Sequence, residues 1–309
     1  MLTTLLSELA LSLADKSLAP VQLTLLTPSI GCEVQGLDLR EPLDTGQVAA
    51  LHSLFLDRSV LVFRNQSLDR EQHKAFARYF GALHTHPSRL GRRGDPHIFK
   101  VRADATSTLN NGGLWHSDLS CEVNPPLGSA LLLHELPEGG GGDTLFINMC
   151  DVYAGLSQPL REFLQGLTAW HDGRKDLRNY GITLEPGKTY PQTHHPVVVH
   201  HSQTGRPLLF VNRAFTESIN ELAPAESSAL LNLLYSKIAD GVRSQCRVRW
   251  EPGTLVLWDN RNTQHNAVWD YFPNSRYGER VSIVDPLPTG NAGDLFNSVD
   301  SGDSGEQGR

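Results

Sequence analysis

The sequence is poor in the features that mark redox motifs, membrane spans and nucleic-acid binding. Its four cysteines are widely spaced and form no CxxC pair, which argues against a zinc ribbon or thiol redox motif and favours reduced thiols in the cytoplasm. No run of about 18 apolar residues occurs, so no membrane span is expected. The net charge of −7 comes without a basic patch, so nucleic acid is not an expected partner. A small anion would have to be bound by individual arginines.

The chain is long enough to bury a large core. With 39% hydrophobic and 20% charged residues, it needs neither disulfides nor a structural metal to fold. We expect one domain over residues 20–288, an amphipathic segment over 1–19 before it, and a disordered Gly/Ser/Asp/Asn-rich tail over 289–309. The leucine-rich start has no basic n-region and contains Glu8, which argues against a signal peptide.

Hydrophobic spacing predicts helices interspersed with β-strands. Helices are predicted over residues 47–58, 69–80, 152–166 and 224–239. Asp69 is the expected N-cap of the second, because Gln72 follows three residues later. Strands are predicted over residues 60–63, 129–135, 144–148, 197–200, 208–212, 254–259 and 281–284. Without a regular strand–helix alternation, this order predicts a β-barrel or sandwich with helices on its outside.

The tripeptide His116-Ser117-Asp118 is a candidate for part of a metal site. Residues i and i+2 on or beside a strand point to the same side, so both could reach one ion. Two histidines and one carboxylate on one face of iron leave three coordination positions open. With 13 histidines in the chain, however, about 0.8 HxD tripeptides arise by chance. The interpretation therefore depends on the motifs that accompany the tripeptide.

Further motifs accompany it in order along the chain. They are Phe80-Gly81-Ala82-Leu83-His84-Thr85-His86-Pro87, Trp115-His116-Ser117-Asp118, the Gly-Gly-Asp-Thr-Leu-Phe run at 141–146, His171-Asp172, Leu209-Phe210-Val211-Asn212, and Trp258-Asp259-Asn260-Arg261 leading to His265, then Arg276 and Arg280. Over about residues 31–286 the sequence thereby resembles the taurine dioxygenase (TauD/TfdA) family of iron(II)/2-oxoglutarate oxygenases. The resemblance implies a mainly β fold with α insertions, in which a double-stranded β-helix (jelly-roll or cupin-like) barrel is flanked by helices. It also implies a homo-oligomer, either a dimer or a tetramer.

The resemblance implies a role for each of several residues. His116, Asp118 and His265 match the family's catalytic metal ligands. Arg276, eleven residues after His265, matches the arginine that pairs with the distal carboxylate of 2-oxoglutarate, and a guanidinium fork suits a carboxylate. Thr144 matches the threonine that adds a hydroxyl to the same carboxylate. The implied cofactors are Fe(II), 2-oxoglutarate as co-substrate, and O2.

The resemblance also implies a substrate site. His86 and Arg280 match the histidine and arginine that bind the sulfonate in taurine-oxidising members. Arg89 and Asp176 stand where a tyrosine and a serine are usual, and Asn111 adjoins a position where an asparagine is expected. We expect these five residues to contact a small anionic substrate.

The implied reaction hydroxylates a C–H bond while 2-oxoglutarate is converted to succinate and carbon dioxide. Taurine or another sulfonate is the leading candidate, and its product would release sulfite and an aldehyde. Alkyl sulfate esters, aryloxyalkanoates, other carboxylates and phosphonates are alternatives on the same scaffold. Asp118 favours hydroxylation, because family halogenases carry a small residue at that position.

Two rival functions use the same three ligands. The first is a zinc hydrolase with an activated water, which has no need for the second anion site that Arg276 and Thr144 imply. The second is a non-catalytic metal-binding barrel, against which the substrate-side residues His86 and Arg280 argue.

Other residues are predicted to be structural. Four histidines flank the apolar run at 196–199, namely His194, His195, His200 and His201. Adjacent strand residues point to opposite faces, so these pairs are not expected to form a second metal site. The glycine run at 139–142 lacks the Lys-Ser/Thr of a phosphate loop and is expected to be a tight connection between strands.

Overall fold

The structure is a computed structural model, and it describes residues 21–89, 93–110, 112–179, 184, 187 and 189–286. The predicted amphipathic segment over 1–19 and the predicted tail over 289–309 lie outside these residues. In the part of the chain that is described, no helix combines the length and apolar character needed to cross a membrane.

Fifteen β-strands and six α-helices are formed by the described residues. The strands are β1 (Gln22–Leu25), β2 (Cys32–Gln35), β3 (Val60–Phe63), β4 (Phe99–Ala103), β5 (Gly128–Glu135), β6 (Thr144–Asn148), β7 (Thr168–Asp172), β8 (Gln192–Pro196), β9 (Val198–His200), β10 (Pro207–Leu209), β11 (Thr216–Ile219), β12 (Gln245–Val248), β13 (Leu255–Asp259), β14 (Thr263–Ala267) and β15 (Arg276–Ile283). The helices are α1 (Thr45–Arg58), α2 (Arg70–Arg78), α3 (Met149–Ala154), α4 (Gln158–Leu164), α5 (Gly173–Asn179) and α6 (Pro224–Ala239). The predicted mainly β architecture with helical insertions is confirmed.

The strands form one large sheet and three small ones. The large sheet has the order β1-β2-β3-β13-β5-β15-β4, and its pairs are antiparallel except for the parallel pair of β2 and β3. Two three-stranded sheets have the orders β12-β6-β14 and β11-β7-β8, and β9 pairs with β10. All these smaller pairings are antiparallel.

The large sheet is covered on both faces, as β3 illustrates. Leu61 and Phe63 pack in a cluster with residues of α1 and α2, whereas Val60 and Val62 pack in a cluster with Phe146 of β6. Successive strand residues point to opposite faces, and burial on both faces explains the uninterrupted apolar run of β3. Two helices therefore cover one face, and the β12-β6-β14 sheet lies against the other.

Both covering helices begin with a reciprocal capping box. In α1 the backbone N–H of Gln47 donates to Asp44 Oδ1 over 2.8 Å, and the N–H of Asp44 donates to Gln47 Oε1 over 3.0 Å. In α2 the corresponding distances between Asp69 and Gln72 are 2.8 and 3.0 Å. Each box satisfies N–H groups that the first turn leaves without a helical partner. The prediction of Asp69 as an N-cap is confirmed.

The prediction of a single helix over residues 152–166 is wrong. The chain forms α3, which ends before Gly155, and then α4, in which Pro159 occupies the first turn after the N-cap Ser157. A proline has no backbone N–H to donate within a continuous helix, but it is tolerated in a first turn. The proline therefore starts a new helix instead of extending the first.

Candidate metal and co-substrate site

His116 and His265 are brought together by a short antiparallel pairing. His265 lies in β14, and His116 forms an isolated bridge opposite it. The His116 N–H donates to the His265 carbonyl over 3.1 Å, and the reverse bond is 2.8 Å long. Directly opposed residues project to the same face of a sheet, and the two ring centroids are 4.1 Å apart.

Asp118 completes a three-residue cluster suited to a metal ion. Its Oδ1 lies 3.7 Å from His116 Nε2 and 3.9 Å from His265 Nε2, and the potential ligand atoms all lie within 4.8 Å of one another. Within the tripeptide at 116–118, His116 makes the β-bridge and Asp118 begins a turn. The tripeptide thus lies beside a strand, and the turn brings the carboxylate back towards the two rings.

Hydrogen bonds and burial hold the cluster in the form that binds a metal. His116 Nδ1 lies 2.7 Å from the carbonyl oxygen of Leu114, so this nitrogen donates and Nε2 keeps its lone pair. Burial, followed by the neighbouring His116, holds the pKa of His265 well below its ordinary value. Burial would raise the pKa of Asp118, but Arg280 and then the histidines outweigh it and leave this pKa below its usual range. Metal ligands must be deprotonated in this way.

The carboxylate of Asp118 is also held from the large sheet. Arg280 Nη1 donates to Oδ1 over 2.5 Å, and Ser129 Oγ lies 3.3 Å from Oδ2. Ser129 in turn lies 2.9 Å from the hydroxyl of Ser282. Strands β5 and β15 therefore fix the orientation of the carboxylate.

Arg276 is a buried cation that bonds no anionic group among the described residues. The residue is 3% exposed, and Nε and Nη2 have no hydrogen-bond partner among the described residues. Its guanidinium lies 5.5 Å from the ring centroid of Trp250. A buried guanidinium without a counter-ion is costly, so this group fits an anionic ligand.

The surroundings of Arg276 include Thr144 and a glycine that makes room for it. Thr144 Oγ1 accepts a hydrogen bond of 3.0 Å from Trp250 Nε1. Gly142 has a φ of +72°, and a Cβ there would lie 2.9 Å from Cδ of Arg276. The predicted tight connection at 139–142 therefore also provides space for the arginine.

One cavity of about 570 Å³ joins these groups. Its lining includes all eight candidate residues whose side chains are described, namely His86, His116, Asp118, Thr144, Asp176, His265, Arg276 and Arg280. The size is typical of a site for small molecules. The cluster and the two arginines thus face a common space.

His86 and Arg280 share an aromatic neighbour that the sequence did not reveal. The His86 ring centroid lies 4.5 Å from that of Phe99, and the Arg280 guanidinium lies 4.9 Å from the same ring. Burial, followed by Arg280, lowers the pKa of His86 to about 3. The backbone N–H of Ser88 donates to its Nδ1 over 3.2 Å. The neutral ring therefore carries its proton on Nε2 and can donate it to an anion.

Asp176 contributes a carboxyl group to the same cavity. It lies in α5, and burial raises its pKa to about 6. Among the described residues no hydrogen bond or ion pair engages its carboxyl group. Asn111 and the side chain of Arg89 lie outside the described residues, although the backbone of Arg89 ends the 3-10 turn Pro87–Arg89.

Three of the four histidines predicted to be structural, His194, His195 and His201, have hydrogen-bond partners of their own. His195 Nε2 lies 2.9 Å from the carbonyl oxygen of Glu122, and His201 Nε2 lies 3.0 Å from Asp259 Oδ2. His194 Nδ1 lies 2.8 Å from Asn220 Nδ2. These contacts connect strands and loops and do not contribute to the metal-binding cluster.

Comparisons with known proteins agree with this geometry. Residues 22–282 match the family model described as the taurine catabolism dioxygenase TauD, TfdA family. An alpha-ketoglutarate-dependent sulfonate dioxygenase of Saccharomyces cerevisiae is 34% identical over 87% of this chain and 68% of its own length. An alpha-ketoglutarate-dependent sulfate ester dioxygenase of Pseudomonas putida is 30% identical, with 88% and 92% covered. The crystal structure of a taurine dioxygenase from Burkholderia xenovorans superimposes with a TM-score of 0.74 at 34% identity, covering 87% of this chain and 90% of that one.

Proposed function

The chain belongs to the TauD/TfdA family of taurine catabolism dioxygenases, and from this premise we propose that it hydroxylates a C–H bond of a small anionic substrate. The reaction uses Fe(II), 2-oxoglutarate and O2. A sulfonate such as taurine is the leading substrate, and alkyl sulfate esters come next. Aryloxyalkanoates, other carboxylates and phosphonates are the remaining candidates.

We assign the iron to His116, Asp118 and His265. Their two imidazoles and one carboxylate form the donor set that suits non-haem Fe(II) and leaves positions open for other ligands. Bound Fe(II) and 2-oxoglutarate supply the oxygen activation, with succinate and carbon dioxide as co-products. The contributions of Arg280 and Ser129 are to keep the carboxylate ionised and to fix its direction.

The observation that carries the proposal is the buried guanidinium of Arg276 in the cavity of the histidine–aspartate cluster, because two of its nitrogens have no hydrogen-bond partner among the described residues. A carboxylate of 2-oxoglutarate would satisfy its buried donors with charge-assisted bonds. Thr144 accepts a hydrogen bond from Trp250, the same side chain that the Arg276 guanidinium lies over. We therefore assign the Thr144 hydroxyl to the same carboxylate. A zinc hydrolase or a non-catalytic metal-binding protein would have no use for this second anion site.

We propose that the anionic group of the prime substrate is bound by His86 and Arg280. His86 offers the Nε2–H of a neutral ring, and Arg280 uses one of its five N–H donors on Asp118. Asp176 lines the same cavity and would favour a hydrogen-bond donor elsewhere on the substrate. Arg89 and Asn111 are kept as substrate-contacting candidates on the family resemblance alone.

The finer architecture is part of the same proposal. We propose that residues 20–288 form one domain around a double-stranded β-helix, with the β12-β6-β14 sheet and the large sheet as its two walls. We further propose a homo-oligomer in the cytoplasm, where the four free and buried cysteines stay reduced.

A succinate-release screen over sulfonates, sulfate esters, phosphonates and aryloxy acids tests the function. We expect the best substrate to carry an anionic group and Arg280→Ala to lose most of its oxidation. In Arg280→Lys, oxidation should also fall, while 2-oxoglutarate binding stays nearly intact. Arg280→Lys keeps a positive charge beside Asp118 but loses the fork, and so separates anion recognition from support of the ligand. Arg206→Ala, at an exposed ion pair, is the control for a lost arginine. A best substrate without an anionic group, or unchanged oxidation by Arg280→Ala, would contradict the substrate assignment and leave the dioxygenase assignment in place.

A further inference from the structure

The turn that follows Asp118 has a backbone conformation that its sequence does not favour. Leu119 has a φ of +50°, in the left-handed region that residues other than glycine rarely adopt. Its side chain is buried with Cys121, Ala214 and Phe215. Such a conformation persists only where the surrounding structure imposes it. The direction of the Asp118 carboxylate therefore depends on whatever holds this turn.

Asn260 holds the turn on the side of Asp118. Its Oδ1 accepts the backbone N–H of Asp118 over 2.6 Å, and its Nδ2 donates to the Asp118 carbonyl over 2.9 Å. The same Nδ2 lies 3.1 Å from the carbonyl of Pro126, and the backbone N–H of Asn260 donates to the carbonyl of Leu127 over 2.9 Å. One buried residue, 1% exposed, thus binds both ends of the segment 118–127.

A second set of side chains holds the turn beyond Leu119. Ser120 Oγ lies 2.7 Å from Asn212 Nδ2 and 3.0 Å from His171 Nδ1. All three of these residues are buried. The left-handed residue is therefore fixed between two hydrogen-bonded neighbours, Asp118 before it and Ser120 after it.

We propose that Asn260 is a positioning residue for the metal ligand Asp118 and that Asn212 supports it from the other side of Leu119. Without the Asn260 amide, Leu119 relaxes to negative φ and turns the Asp118 carboxylate away from the two histidines. The motifs at 209–212 and 258–261 thereby gain a role in orienting Asp118, and this role requires no contact with the ion or the substrate. The proposal rests on the assignment of Asp118 as an iron ligand.

Calorimetric titration with Co²⁺ measures this role without turnover. Asn260→Ala should weaken Co²⁺ binding by roughly 10- to 100-fold, as expected when a group that orients a ligand is lost. Asn212→Ala should weaken it in the same direction, and decides the question if Asn260→Ala does not fold. The matched control is Asn262→Ala, because Asn262 is equally buried but bonds Ser59 and Cys150 away from the ligands. Its melting temperature should fall while its Co²⁺ affinity stays within about twofold of the parent.

Two kinds of result would overturn the proposal. The positioning role alone is removed if a folded Asn260→Ala variant binds Co²⁺ with the affinity of the parent. If Asn260→Ala does not fold, the same result in Asn212→Ala removes it. An equal loss of Co²⁺ affinity in the control Asn262→Ala removes it as well. If the parent does not bind Co²⁺, or if His116→Ala binds it as tightly as the parent, the metal site itself fails and takes this inference with it.

Discussion

At the scale of single residues, Arg276 has more buried nitrogens without a hydrogen-bond partner than any other described residue that lines the cavity. Its guanidinium is buried, stacked on Trp250 and short of partners for two nitrogens. Asp176 is the opposite case, a carboxyl group whose pKa burial raises to about 6. Both residues occupy buried environments that cost free energy and that a bound ligand can compensate, as is common at functional sites.

The first prediction concerns Arg276→Gln. Losing a charge-assisted contact to a buried carboxylate costs roughly 2–5 kcal/mol, so the KM for 2-oxoglutarate should rise at least about thirtyfold. The KM for the prime substrate should change far less. Steady-state kinetics with each substrate varied in turn measure both, with Arg206→Gln as the control. A defect that appears mainly against the prime substrate would refute the assignment.

The second prediction concerns the pH dependence of stability in the metal-free protein. The pKa of Asp176 rises from 3.8 to about 6 on folding, so its stabilising contribution is present below the lower value and is lost as the pH rises through the upper one. Asp176→Asn should therefore gain roughly 2–3 kcal/mol relative to the parent between pH 4 and pH 8. Urea unfolding at both pH values measures this, and Asp240→Asn is the exposed control. A difference that does not vary with pH would show that Asp176 is not perturbed.

At the scale of elements, β15 connects the two proposed anion sites. Arg276 and Arg280 stand four residues apart on this strand and both line the cavity. Glu279 faces the other side of the sheet, where its carboxylate accepts two hydrogen bonds, of 2.6 and 2.8 Å, from Arg70 of α2. A single strand therefore supplies Arg276 and Arg280 to the cavity and anchors a covering helix.

The same strand shows why the sequence predicted some elements and missed others. The apolar residues 281–284 predicted only the end of β15, because polar side chains occupy both faces of the part before it. Arg276 and Arg280 face the cavity and Glu279 faces α2, so no alternation of apolar and polar residues marks a strand there. By contrast, β3 and β6 were predicted with their observed bounds, since their apolar runs are bounded by polar residues. The prediction 208–212 was also too long, and the chain leaves the strand at Leu209.

The third prediction concerns the cap of α2. Asp69→Ala removes the side-chain acceptor of the capping box and should lower the free energy of unfolding by roughly 0.5–2 kcal/mol. Its kinetic constants should stay unchanged, because the cap lies outside the cavity lining. Urea unfolding measures the loss, and Ser236→Ala, an exposed position on α6, is the control. No loss of stability in Asp69→Ala would mean that the cap does not contribute.

At the scale of the whole molecule, the site lies where the large sheet and the β12-β6-β14 sheet approach each other. The metal ligands, Thr144 and the arginines were assigned from the family resemblance, and the structure brings their side chains to one cavity. The roles of Phe99, Trp250 and the Asn260 side-chain amide could not be predicted from the resemblance. Their roles arise from the pairing of β4 with β15 and from loop contacts between residues more than a hundred positions apart. Local spacing carries no information about such contacts.

The fourth prediction concerns the proposed domain boundary. A chain that ends at Leu287 should fold with the parent's melting temperature and retain its turnover, because the described core and cavity are complete without the residues beyond it. Circular dichroism and succinate release measure the two properties. Loss of the cooperative unfolding transition would contradict the boundary.

The most direct test of the central claim is an anaerobic titration of the metal-free protein with Fe(II) and 2-oxoglutarate, followed by visible absorption. We expect a weak charge-transfer band in the parent and in His134→Ala, a control at a partly exposed histidine outside the cavity lining. We expect no band and no turnover in His116→Ala or His265→Ala, since two remaining ligands cannot hold the ion in a competent geometry. A parent that gave no band, or either variant with the full band and activity, would refute the iron assignment.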